Sequence, residues 1–149
     1  MDWITYKIKA AEELQRRKER DRIKTDTEYF IENYVYIEDR DSPELAVPFH
    51  LWDGQKRTLK EIIAERLNII LKARQLGLTW LTLAYAVWCM VFHPGYMVVA
   101  LSRGEDEAKE LARRVGFICK HLPVWMLRHK KDKVDGIPYY DDTTSVITI

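Results

Sequence analysis

The stretch Asn68-Ile69-Ile70-Leu71-Lys72-Ala73-Arg74-Gln75-Leu76-Gly77-Leu78-Thr79 decides how the rest of the chain is read. Asn68 to Leu71 is a short apolar run without polar alternation, which predicts a strand covered on both faces. The loop from Lys72 to Thr79 leads into Leu78 to Phe92, the most apolar stretch of the chain. That stretch is shorter than the roughly 20 residues a helix needs to cross a bilayer, so it predicts a buried core helix and no membrane anchor. Pro94-Gly95 ends it, and Tyr96 to Leu101 predicts a second strand. Strand, helix and strand in this order imply a βαβ unit, and hence an α/β fold with a parallel sheet and right-handed crossovers.

Toward the N-terminus, Trp3 to Lys24 has helical composition and predicts an exposed helix ending in a charge-rich run, Gln15-Arg16-Arg17-Lys18-Glu19-Arg20. Thr25 or Asp26 can cap a second short helix through Ile37. Glu38-Asp39-Arg40-Asp41-Ser42-Pro43 reads as a linker, dividing an N-terminal helical segment (1–40) from a main domain (41–149). A further helix is predicted from about Asp53 to Arg66. After the second strand, Ser102 and Glu105 have capping-box spacing for a helix reaching about His121. Arg128 to Lys133 is basic, and Val146 to Ile149 reads as a strand left without its successor.

The chain has 149 residues, 47% of them hydrophobic, enough for one domain with a sizeable core. Its 24 basic and 23 acidic side chains nearly cancel, so attraction to nucleic acid has to come from local clusters. Cys89 and Cys119 stand far apart and outside any metal-ligand spacing, which argues against zinc and for an intracellular, reducing location.

A phosphate-binding loop needs converging backbone N–H groups at a helix N-terminus, a glycine for close approach, a cation, and a hydroxyl for Mg²⁺. Lys72 to Thr79 has all of these parts. Against the pattern G-x-x-x-x-G-K-S/T, Gly77 takes the second glycine and Thr79 the metal-binding hydroxyl, but Leu78 replaces the lysine and Lys72 the first glycine. The plain alternative is a strand-turn-helix junction with solvated basic residues.

The loop resembles the deviant Walker A loop of phage terminase large subunits, in which a lysine can open the loop and Arg-Gln precedes the glycine. Phe30-Ile31-Glu32-Asn33-Tyr34-Val35-Tyr36-Ile37-Glu38, Phe49-His50-Leu51-Trp52-Asp53-Gly54-Gln55 and Leu101-Ser102-Arg103-Gly104-Glu105-Asp106-Glu107-Ala108 resemble further segments of that family, in order, over about residues 25 to 125. The resemblance implies an incomplete P-loop NTPase of the RecA-like, ASCE type, its parallel sheet flanked by helices, with an N-terminal helical extension. It implies ATP and Mg²⁺ as cofactors, a DNA-packaging motor as the parent enzyme, and the bacterial host cytoplasm as its location. The implied partners are double-stranded DNA, a terminase small subunit, a portal and further copies in a ring.

Under that resemblance Lys72 and Arg74 are the catalytic cations, neutralising phosphate charge in the transition state. Thr79 binds the metal. The nucleotide contacts are Phe49, Trp52, Gln55, Lys72, Ala73, Arg74, Gln75, Gly77, Leu78 and Thr79, with Gln55 facing the adenine edge and Trp52 or Phe49 beside its ring. Arg103, at the end of the second predicted strand, is a candidate DNA or phosphate contact. The basic stretches Arg16 to Lys24 and Arg128 to Lys133 are candidate backbone contacts or solvated faces. Val35-Tyr36-Ile37-Glu38-Asp39 imitates a Walker B strand but precedes the loop, in the wrong order.

Hydrolysis in this class also needs a carboxylate at the end of a later apolar strand, and none of the carboxylates after Thr79 stands in that position. The resemblance therefore implies a chain that stops before its catalytic acid and nuclease domain, binding nucleotide but turning over little ATP. A helicase-like RecA-type ATPase fragment and a non-catalytic assembly module with a vestigial loop remain as alternatives.

Overall fold

The computed structural model describes residues 3–39, 42–127, 141–143 and 146–148. Helix α1 (Trp3–Thr25) forms on strong helix formers, with Arg22 and Lys24 in its last turn complementing the helix dipole. Ile23 is its one buried residue, so most of the helix stands in solvent. Helix α2 (Thr27–Tyr34) starts where the Asp26 carboxylate accepts the Tyr29 N–H at 2.9 Å. Strands β1 (Tyr36–Glu38) and β2 (Ala46–Pro48) then pair antiparallel, with Ile37 opposite Val47. The acidic segment read as a linker therefore falls in a hairpin connection.

Helices α3 (Asp53–Ala64), α4 (Leu78–Phe92) and α5 (Glu105–His121) follow, then a 3-10 turn, Val124–Met126. The predicted capping box at Ser102 and Glu105 does not form. Gly104 occupies the cap position without a side-chain bond, and Glu105, Asp106 and Glu107 place negative charge at the helix start. Strands β3 (Asp141–Thr143) and β4 (Val146–Thr148) form a second antiparallel pair close to α5, so the terminal apolar run has a neighbour. Arg128 to Lys133 and Ile149 lie outside the described residues.

The core is built around α4, which packs against α2, α3 and α5. Leu81, Ala84 and Val87 are fully enclosed, together with Phe30, Ile31, Leu59 and Ile118 from the neighbouring helices. Phe30 and Phe92 meet edge to face at 5.7 Å between ring centroids. The Trp88 indole Nε1 donates to the Ile23 carbonyl at 2.9 Å, fastening the foot of α1 to the core helix. Among the described residues, no helix is long and apolar enough to cross a membrane.

The parallel sheet of a P-loop fold is not formed. The described residues are mostly helical, and each of their two sheets is a two-stranded antiparallel hairpin. Asn68 to Leu71 and Tyr96 to Leu101, the two predicted core strands, take up no regular secondary structure and join no ladder. Ile69 and Leu71 are 98% and 100% exposed, and Met97 and Leu101 81% and 88%. Apolar, β-branched composition records that a segment suits a covered pleated surface; the ladder itself needs a neighbouring strand, which local composition does not provide. The helical half of the βαβ reading forms, and its strand half does not.

Candidate functional site

The loop before α4 turns on two left-handed residues. Gln75 has φ 63° and Gly77 φ 65°, on either side of Leu76. A positive φ is free for glycine but costs about 1 to 2 kcal/mol at a residue with a Cβ, so Gln75 is held in strain. Gly77 sits at the N-cap of α4, where its carbonyl accepts the Leu81 N–H at 3.1 Å. No side chain caps this end. The N–H groups of the first turn therefore point out of the helix at its positive pole, beside the loop.

Gln55 decides how the loop is held. Its side chain is only 3% exposed although polar. Its Nε2 donates to the Leu76 carbonyl at 3.1 Å, and its Oε1 accepts the Trp52 N–H at 3.3 Å. One amide thus ties the first turn of α3 to the crest of the loop. Gly77 must be small for this bond to exist, because a Cβ there would lie 2.6 Å from the Gln55 nitrogen.

Between α3 and the loop lies a cleft of about 320 Å³, lined by Trp52, Arg57, Glu61, Lys72, Leu76 and Leu78 among others. The half-exposed Trp52 indole covers Gly54, so close that a Cβ there would overlap the ring. Lys72 reaches the carbonyl of Ala73 at a long 3.5 Å, and Thr79 is partly exposed in the first turn of α4. Its carbonyl accepts the Thr82 hydroxyl at 3.0 Å.

The fold thus gathers Trp52, Lys72 and Leu78 in one cleft, with Gln55 and Gly77 behind it. Phe49 is elsewhere, 3% exposed in the core. Ala73, Arg74 and Gln75 lie on the exposed outside of the turn. Gln55 spends its amide on backbone partners, so its place is that of a brace. Leu78, where the common pattern has lysine, is buried. Arg103 pairs with Glu107 at 2.6 Å on α5.

Arg57 and Glu61 were missed by sequence reading. They stand one turn apart on α3, and that spacing was the available signal. The side-chain oxygens on the cleft wall are the Glu61 carboxylate and the Thr58 hydroxyl; Thr79 is not part of that wall. Among the described residues no group of three or more His, Cys, Asp or Glu side chains could hold a metal. The cleft wall carries two cations, Lys72 and Arg57, against one carboxylate, Glu61.

Two clusters outside the cleft were also missed. The Glu19 carboxylate accepts the Tyr29 hydroxyl at 2.9 Å and the Tyr34 hydroxyl at 2.7 Å, and these bonds hold it below the usual carboxylate range. Lys56 bridges Glu28 at 3.1 Å and Glu32 at 2.8 Å, joining α3 to α2. Both join residues far apart in sequence.

No family model matches the chain, and no curated protein is significantly similar to it.

Proposed function

We propose that the loop from Lys72 to Thr79 binds the terminal phosphates of ATP, and that the chain is the nucleotide-binding portion of a phage DNA-packaging motor of the terminase large-subunit type. The observation that carries this reading is the uncapped head of α4 beside a strained turn, with Gln75 and Gly77 both at positive φ. Backbone strain of the kind seen at Gln75 clusters at ligand clamps and active sites. Lys72 supplies the phosphate-facing charge, and Arg57 a second cation across the cleft. Trp52 offers an aromatic wall for the base, Thr79 a hydroxyl for Mg²⁺, and Arg74, on the outer side of the turn, a cation for a neighbouring subunit. Thr79 would hold Mg²⁺, which would offset phosphate charge.

The parent enzyme in this reading is an ATP hydrolase with nuclease activity that works in the bacterial host cytoplasm on double-stranded DNA, together with a small subunit, a portal and further copies of itself. The chain by itself binds nucleotide weakly and turns over little of it. The test is a titration with a fluorescent ATP analogue, with and without Mg²⁺. Lys72→Ala weakens binding under both conditions, whereas Thr79→Ala removes only the gain due to Mg²⁺. Equal affinity of wild type and both variants would overturn the reading. A non-catalytic assembly module is the second reading, favoured by the burial of Leu78 where the common pattern has lysine. It expects no nucleotide binding in the same titration.

A further inference from the structure

Positive charge is concentrated in α1. Residues 3–25 hold eight Lys and Arg against four Asp and Glu, a surplus of four, in a chain whose net charge is +1. Lys9, Arg16, Arg20 and Lys24 recur at spacings of seven, four and four, which places them along one side of a helix over about 22 Å. All four are exposed. Among the described residues Lys9, Arg16 and Lys24 have no side-chain partner, and Arg20 makes only a 3.5 Å contact with the Met126 carbonyl.

The acids offset this stripe only in part: Glu12 sits beside Lys9 and Arg16, and Asp21 next to Arg20, all exposed. Glu13 lies along it but is met by Arg17 at 3.2 Å, and Glu19 turns to the hydroxyls of Tyr29 and Tyr34. The foot of the stripe is fastened to the body, by buried Ile23 and the Trp88 bond to its carbonyl. A row of exposed cations on a solvent-facing helix matches a regular row of anions.

We propose that this side of α1 binds the phosphate backbone of duplex nucleic acid, independently of sequence. A duplex carries one charge per roughly 1.7 Å of axis and rewards each neutralised phosphate with released counterions. Single strands are gripped by stacking on aromatic side chains, and α1 has no aromatic residue between Lys9 and Lys24. A helix lying in a membrane surface needs an apolar face along the same length. The exposed large apolar residues of α1 end at Leu14, before three of the four cations. The proposal shares the DNA partner with the packaging-motor reading but does not need ATP.

Fluorescence anisotropy with a labelled duplex of about 30 base pairs, without nucleotide, from about 50 to about 200 mM salt, tests this on the full chain. Substituting Lys9→Gln, Arg16→Gln and Lys24→Gln together lowers affinity at least about tenfold at the low-salt end and reduces the salt slope by about 2 to 3. A control carrying Lys60→Gln, Arg66→Gln and Lys120→Gln makes the same charge change away from α1, and its affinity stays within about twofold of wild type. Three results would each overturn the proposal: no duplex binding by the wild type, equal loss in the two variants, or tighter binding to phosphatidylserine-containing vesicles than to duplex at equal salt. Circular dichroism confirms that both variants fold. ATP titration reads the other proposal separately, so either can fail alone.

Discussion

The Gln55 side-chain nitrogen donates to the Leu76 carbonyl at 3.1 Å, across a sequence separation of 21, and so locks the head of α3 onto the turn before α4. Removing that amide leaves a part-buried carbonyl without its partner and takes the acceptor from the Trp52 N–H. Gln55→Ala is expected to cost about 1 to 3 kcal/mol, read as a lower midpoint in urea unfolding. Gly77→Ala adds a Cβ at positive φ and 2.6 Å from the same nitrogen, and costs at least about 1 to 2 kcal/mol. The double variant loses less than the two single losses together, because the clash disappears with the amide. Strict additivity would show that the two residues do not meet as described.

Acid stability reports on Glu110. The Arg113 guanidinium, with Arg114 beside it, lowers its carboxyl to about 2, against an ordinary value near 4.5. A carboxyl whose folded value is depressed adds stability that is fully present above the unfolded value and is lost as pH falls through the folded one. The wild type should therefore lose stability between about pH 4.5 and about pH 2. Glu110→Gln should be less stable than wild type at neutral pH and lose less over that window, in urea midpoints measured at several pH values. Partial exposure of the pair to water keeps the effect small. Identical pH profiles would remove Glu110 from the account.

The two thiols should be silent in the folded chain. Burial pushes the Cys119 thiol up to about 12, and burial also raises that of Cys89. Since the thiolate is the reactive form, a thiol-specific chromogenic reagent should label neither in native buffer and both in strong denaturant. Fast labelling of Cys119 without denaturant would show that α5 opens readily.

Exposed apolar segments carry a cost in solution. Met97, Val99 and Leu101 are exposed in a stretch that joins no ladder, an arrangement that invites association. Val99→Lys, 73% exposed in the wild type, should leave the unfolding midpoint within about 0.5 kcal/mol and raise the concentration at which the chain sediments as a monomer. Unchanged sedimentation would mean that this segment is not what brings chains together.

Local signals in the sequence located most helices. Pro94-Gly95 ends α4, Asp26 caps α2, and the helical spacing of Leu111, Val115 and Ile118 marks α5, all through interactions within a few residues. The turn before α4 was legible for the same reason: Gly77 and Thr79 flank a helix start that the apolar run announces. Gln55 was legible as a residue but not as a brace, since its partner lies on another element. Phe49 was read as a ring available to a ligand, and packing placed it in the core instead.

By itself, the sequence determined where most helices lie, which helix would be the most enclosed, and that a turn through Gly77 leads into it. Those properties depend on backbone preference and apolar spacing, which act over a turn or two. Tertiary structure alone decided that the runs around Ile70 and Val99 stay unpaired, that Tyr36 to Glu38 pairs with Ala46 to Pro48, and that Trp52 and Lys72 share a cleft. Ladders and clefts require groups distant along the chain to meet, and the free energy of that meeting is written in no single segment.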